Sequence, residues 1–154
     1  MSLRAAWARA GAVFVCVLVA DQAVKALVTS ALQRGEEREI VAAVKLVNVR
    51  NSGVAFGQLQ NGGAIVGVVI ALAVLALLAY FVRHASQPWI WLPTGLLLGG
   101  ALGNIVDRVR EGAVIDFVKL PYWPAFNVAD SAITIGVIVL LFVTWREDAT
   151  RRPG

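Results

Sequence analysis

Apolar positions in this chain come in long unbroken blocks, and the polar positions gather between them. Residues 10–20 carry no charge, Asp21 and Gln22 interrupt, and the apolar pattern then resumes to residue 32. A second block, 63–82, is free of charge, as is a third at 89–106; a fourth, 128–145, holds only Asp130. A bilayer crossing needs about 20 predominantly apolar residues. The pattern therefore predicts an all-α integral membrane protein with four transmembrane helices, at approximately 10–32, 63–82, 89–106 and 128–145. Between the first two blocks, the charged run 33–39 reads as a solvated turn. Residues 40–49 are valine-rich with partial alternation and read as a strand. Asn51-Ser52-Gly53 then opens a turn over 51–57, where Gly53 and Gly57 permit unusual backbone angles. That stretch can be a plain surface hairpin or a mobile cover over a site. Residues 83–88 form a tight loop. With no long repeat, low-complexity tract or linker, residues 1–154 are expected to form a single membrane domain.

Composition agrees with the pattern. The chain is 58% hydrophobic without counting its 14 glycines, and its mean hydropathy is +0.72. Soluble domains reach about 45–50% with glycine included. The net charge of +4 marks membrane flanks and not nucleic-acid binding, since no basic patch is interleaved with stacking aromatics. Arg4, Arg9 and the apolar run to Ala20 also resemble a cleavable signal peptide, but the resumption to residue 32 favours a crossing. Cys16 has no partner for a disulfide and reads as apolar filler. His84 alone cannot build a metal site, and no cofactor motif is present. Gly95, Gly99 and Gly103 recur every four residues in the third block, a spacing that lets helices approach closely.

Four crossings would put both termini on one side. The count of lysines and arginines does not orient the bundle: Arg4, Arg9, Arg83, Arg146, Arg151 and Arg152 stand against Arg34, Arg38, Lys45, Arg50, Arg108, Arg110 and Lys119. Trp7, Trp89, Trp91 and Trp145 mark one interface, Tyr122 and Trp123 the other.

This topology gathers the polar residues at one end. Asp107, Asp116 and Asp130 flank the gap between the third and fourth crossings. Asp21 and Lys25 lie toward that end of the first, four apart and able to pair on one helix face. Asn51–Gly57 lies there too. Asn104, Asp107 and Arg108 share a face by spacing, as do Asn127 and Asp130. Ionisable groups at such depth are usually functional. Two carboxylates held together share a proton, so one can activate water while the other protonates a carbonyl. The same residues also suit a small carboxylate-based ion or proton transporter. No serine elbow, Cys–His pair, zinc helix motif or phosphate loop offers other chemistry.

Five ordered motifs carry a resemblance: D-Q-x-x-K (Asp21–Lys25), N-x-G-x-A-F-G (Asn51–Gly57), G-N-x-x-D-R (Gly103–Arg108), V-x-D-F (Val114–Phe117) and F-N-x-A-D-S (Phe126–Ser131). Together they resemble bacterial lipoprotein signal peptidase, signal peptidase II, over nearly the whole chain. The resemblance implies an aspartic endopeptidase of the bacterial inner membrane that cuts prolipoproteins just before the lipid-modified cysteine. It implies a small β-rich extracytoplasmic cradle, here approximately 38–60, and no metal or cofactor. Its catalytic pair falls on Asp116 and Asp130. Asn51, Gly53, Asn104, Arg108 and Asn127 match site-lining positions, and Asp21, Lys25 and Asp107 supporting ones. Asp107 remains an alternative to Asp116, because Asn104–Asp107 repeats the spacing of Asn127–Asp130. Lipid-modified prolipoproteins and membrane lipids are the implied partners, nucleic acid is not, and the chain is expected to be a monomer with both termini cytoplasmic. The link from Asp116 to Asp130 is shorter than in many relatives.

Overall fold

The computed structural model describes residues 2–41, 43–52 and 62–151. Its elements run α1 (Leu3–Ala31), β1 (Glu37–Val41), β2 (Val44–Asn51), α2 (Gly62–His84), α3 (Trp91–Glu111), β3 (Val114–Lys119) and α4 (Val128–Arg151). The fold is thus mostly helical with one small sheet. Gly53 and Gly57, and the cover expected of their turn, lie outside the described residues.

α3 is the central helix, packed along both α1 and α4. Its small residues make this possible. A Cβ placed on Gly99 would stand 2.8 Å from Val17 Cβ and 2.9 Å from the Phe14 carbonyl oxygen. One placed on Gly95 would meet the Ala10 carbonyl oxygen at 2.7 Å, and one on Gly103 would meet Asp21 Oδ2 at 2.6 Å. The expected glycine row therefore faces α1. Gly100, one residue round, gives the same close approach to the backbone of Ala129 on α4.

At the end of the bundle that holds Trp7, α1, α2 and the start of α3 are joined by buried Ala6, Ala10, Phe81, Ala85 and Ile90. Trp7 packs edge-on against Phe81, and the Arg9 guanidinium lies 5.7 Å above the Trp91 ring. At the other end, Val28, Leu32 and Phe117 tie α1 to the sheet. Outward faces are apolar: Val15, Val19 and Leu27 on α1, Leu72 and Leu75 on α2, and Ile138 and Leu141 on α4 are all exposed. Cys16 is exposed as well. α1 and Val128–Arg146 of α4 are long and apolar enough for a full crossing, with mean hydropathies of 1.9 and 2.1; Val68–His84 is a shorter apolar stretch.

Three boundaries differ from expectation. The strand expected at 40–49 is a hairpin of two strands that turns at Ala43, where φ is 74°. The charged run does not turn throughout, because Glu37–Glu39 already belong to β1. α3 continues past 106 to Glu111, where Gly112 closes it in the left-handed region (φ 71°) and donates its N–H to the Arg108 carbonyl; glycine adopts such angles without a Cβ clash. The sheet is antiparallel in the order β1-β2-β3, with Asn51 opposite Val114 and Val49 opposite Asp116. β3 was not expected from the pattern. It carries Asp116 in a position that a loop would not fix.

Candidate active site

The site begins where α3 gives way to β3. Asp107, near the end of α3, accepts the backbone N–H of Ile115 at 3.0 Å. This pins β3 immediately before Asp116. Beyond β3 the chain loops out and returns: the N–H of Phe126 donates to Val118 O, and the N–H of Val118 to Phe126 O, both at 2.9 Å. That clasp delivers Asn127 beside Asp116 and starts α4.

Asn127 and Asp130 cap α4 reciprocally. The N–H of Asp130 donates to Asn127 Oδ1 at 2.8 Å, and the N–H of Asn127 donates to Asp130 Oδ2 at 3.2 Å. This is the capping-box arrangement with aspartate in the third helical position. Asparagine is among the residues preferred at an N-cap. The next free N–H, that of Ala129, is satisfied from another helix, by Asp21 Oδ1 of α1 at 2.9 Å.

Three asparagine amides hold the two carboxylates. Asn51 Nδ2 donates to Asp116 Oδ2 and Asn127 Nδ2 to Asp116 Oδ1, each at 2.9 Å. Asn104 Nδ2 donates to Asp130 Oδ1 at 2.9 Å. The oxygen of the Asn104 amide is itself fixed, accepting from Asn127 Nδ2 at 3.1 Å and from Lys25 Nζ at 3.3 Å. Beneath lies a buried ion cluster: Lys25 Nζ is 2.6 Å from Asp21 Oδ2 and 2.7 Å from Asp107 Oδ2. Gln22 Nε2 donates to Asp107 Oδ1 at 3.0 Å and to the Gly103 carbonyl at 3.3 Å.

The electrostatics single out Asp116. Its side chain is 1% exposed. Burial pushes its carboxyl up to about 6, the neighbouring Asp130 charge adds to this, and the Asn51 and Asn127 amides and the Lys25 charge oppose it. Desolvation and a like charge both disfavour the ionised form.

The structure thus brings together Asp21, Lys25, Asn51, Asn104, Asp107, Asn127 and both expected carboxylates, Asp116 and Asp130. Arg108 borders this group, lining one cavity with Asn104. Its Nη1 donates to the Asn104 carbonyl at 3.3 Å, and its side chain faces a 680 Å³ apolar cavity between α2, α3 and α4. One residue along a helix is about 100° round, so Asp107 reaches the interior while Arg108 stays at the rim. A 360 Å³ cavity on the other side of α4 opens onto Asp130 between Trp123, Phe126 and Thr134. Gln22 was missed by sequence reasoning, although it stands inside D-Q-x-x-K; a second polar side chain at that depth was the available signal. Among the described residues, no group of three His, Cys, Asp or Glu side chains could hold a metal ion.

Comparison with known proteins bears on this site. The family model described as signal peptidase (SPase) II matches residues 13–146. The chain belongs to the signal peptidase II family. Lipoprotein signal peptidase of Halothermothrix orenii is 36% identical over 137 residues, 88% of this chain and 94% of that one. The protein of the same name from Moorella thermoacetica is 42% identical over 126 residues, 80% and 84% of the two chains. Two solved structures, each described as a bacterial membrane enzyme, are similar with TM-scores of 0.82 and 0.83 at 30% and 28% identity. They cover 88% and 94% of this chain, and 91% and 92% of theirs. This chain is therefore a membrane peptidase of the signal peptidase II family, and the transporter reading has no support.

Proposed function

We propose that this chain cuts the signal peptide from lipid-modified prolipoproteins with Asp116 and Asp130 as its reacting pair. The observation that carries the assignment is the pair itself: two carboxylates lodged between three asparagine amides, one of them 1% exposed with its pKa raised to about 6. Asp116 holds the proton and Asp130, on the open cavity, is the base. Asp130 takes a proton from water, whose oxygen attacks the scissile carbonyl carbon, and Asp116 protonates the carbonyl oxygen. Asp130 then returns its proton to the leaving nitrogen as the C–N bond breaks, while Asp116 recovers its proton from a hydroxyl of the diol. Each carboxyl ends as it began. Asp107 is the weaker candidate because Lys25, Gln22 and the Ile115 N–H already occupy it.

In this reading the chain is one membrane unit with four crossings, α2 and α3 joining α1 and α4. The exposed apolar faces of α1, α2 and α4 support lipid contact. One chain supplies every group of the site, which supports a monomer. Both termini lie in the cytoplasm and the carboxylates toward the outer face. The test is cleavage of a diacylglyceryl-modified prolipoprotein by the solubilised protein in the presence of a chelator. Asp116→Asn and Asp130→Asn should each lose about 10²–10⁴-fold in kcat, the span of general acid–base catalysis, without loss of folding. Near-normal cleavage by Asp116→Asn would move the role to Asp107, and inhibition by the chelator would mean a metal-dependent reaction.

A further inference from the structure

The end of the bundle away from the carboxylates holds a further cavity, of 510 Å³, between the start of α3 and the end of α4. Leu92, Val139, Phe142 and Val143 give it apolar walls, and Trp89 and Arg146 stand at its margin. Arg146 is sixteen residues along α4 from Asp130, so the two ends are about 24 Å apart. The volume lies within the usual range of small-molecule sites, about 300–1,000 Å³.

Charge tells what fits. Arg146 is exposed, and among the described residues no carboxylate pairs with it. The other described carboxylates, from Asp21 to Asp130, belong to the opposite end; Glu147 and Asp148 follow Arg146 in the sequence, beyond the described side chains. Arg4, Arg9 and Arg83 share its end. Trp89 is held at φ 70°, an uncommon angle for a bulky residue, and its ring stacks on Trp91 with centroids 6.0 Å apart. An apolar channel between helices, with indole and guanidinium at the interface, matches the chemistry of a phospholipid of negative charge: chain inside, phosphate at the arginine. We infer that this groove binds one anionic phospholipid, its acyl chain along Leu92, Val139 and Val143 and its phosphate on Arg146. This site is separate from the one that cuts peptides, and the inference does not depend on the roles of Asp116 and Asp130.

The test uses the full chain in nanodiscs that contain phosphatidylcholine and phosphatidylglycerol in equal amounts. Release into native mass spectrometry then counts the lipids retained. The wild type should keep one phosphatidylglycerol in at least fivefold preference to phosphatidylcholine. Arg146→Gln should bring that preference near one, and Val139→Trp, which fills the groove, should do the same. Arg4→Gln should keep it. Cleavage by Arg146→Gln in phosphatidylcholine alone should equal wild type, since the residue is remote from the carboxylates. Unchanged preference in Arg146→Gln overturns the inference, as does an equal drop in Arg4→Gln, which would mean diffuse surface attraction. Arg146→Gln keeps the outcome decisive if Val139→Trp does not fold.

Discussion

Asp116 shows how one side chain can link fold and chemistry. Its pKa is raised from 3.8 to about 6 chiefly by burial, so the folded chain holds this proton more tightly than the unfolded chain does. The sign follows from linkage. As pH rises from about 4 to 6, the unfolded chain releases the proton first, and this group makes folding progressively less favourable. Above 6 the effect levels off. The pH dependence of thermal stability should therefore be less steeply downward between 4 and 6 in Asp116→Asn than in wild type. For catalysis the proposed acid must be protonated, so kcat/KM should fall about tenfold per pH unit above 6. A profile flat from pH 6 to 8 would contradict the assignment of the proton to Asp116. At this scale the sequence was informative where partners sit on one helix. Asp21 and Lys25, four apart, form the expected pair. Asn127 and Asp130, three apart, share a cap as well as a face. It was silent where partners sit on different elements. Nothing local signals that Asp21 caps α4 or that Asp107 holds β3, because those contacts exist only once the helices have packed.

Among the elements, the third strand was the one hidden. Val114 to Phe117 are all buried, so both faces are covered and the alternation that marks a half-exposed strand is lost. Its partner, β2, is more than sixty residues earlier, so no local turn announces the pairing. The helical seam was legible because four-residue spacing of small residues is a local pattern. The structure adds direction: Gly95, Gly99 and Gly103 meet α1, and Gly100 meets α4. Gly99→Val should therefore lower stability, since even its Cβ would press on Val17 and the Phe14 carbonyl. Overpacking of this kind costs about 1–3 kcal/mol. The expected result is a clearly lower Tm in detergent, with activity at low temperature reduced less, because the carboxylates are set by Asn51, Asn104 and Asn127. An unchanged Tm would mean that α1 and α3 can separate without loss, contrary to the close packing described above.

For the molecule as a whole, the polar residues segregate and the apolar ones form the shell. The ion cluster, the amides and the carboxylates occupy one end, and four of the five tryptophans (Trp7, Trp89, Trp91, Trp145) the other, while lysines and arginines flank both. Orientation was the one global property that the charge count could not decide, and it can be measured. Glu39 on β1 and Ser86 in the loop after α2 are both exposed, and they lie at opposite ends. Cys16 is the only native cysteine and is exposed on α1, so it is replaced by alanine first. Glu39 is the better probe on the sheet, because Glu37 is occupied by Lys45 and Lys119, which hold its carboxyl below the ordinary range. In intact cells, a membrane-impermeant thiol reagent should label Glu39→Cys and leave Ser86→Cys unlabelled until the membrane is opened. That pattern puts the sheet and the carboxylates outside and both termini inside, where a substrate can meet the site from the outer leaflet. The reverse pattern would turn Asp116 and Asp130 toward the cytoplasm and remove that route. Labelling at both positions would mean that α2 does not cross, because the loop after α2 would then share a side with the sheet, and the four-crossing arrangement would fall with it.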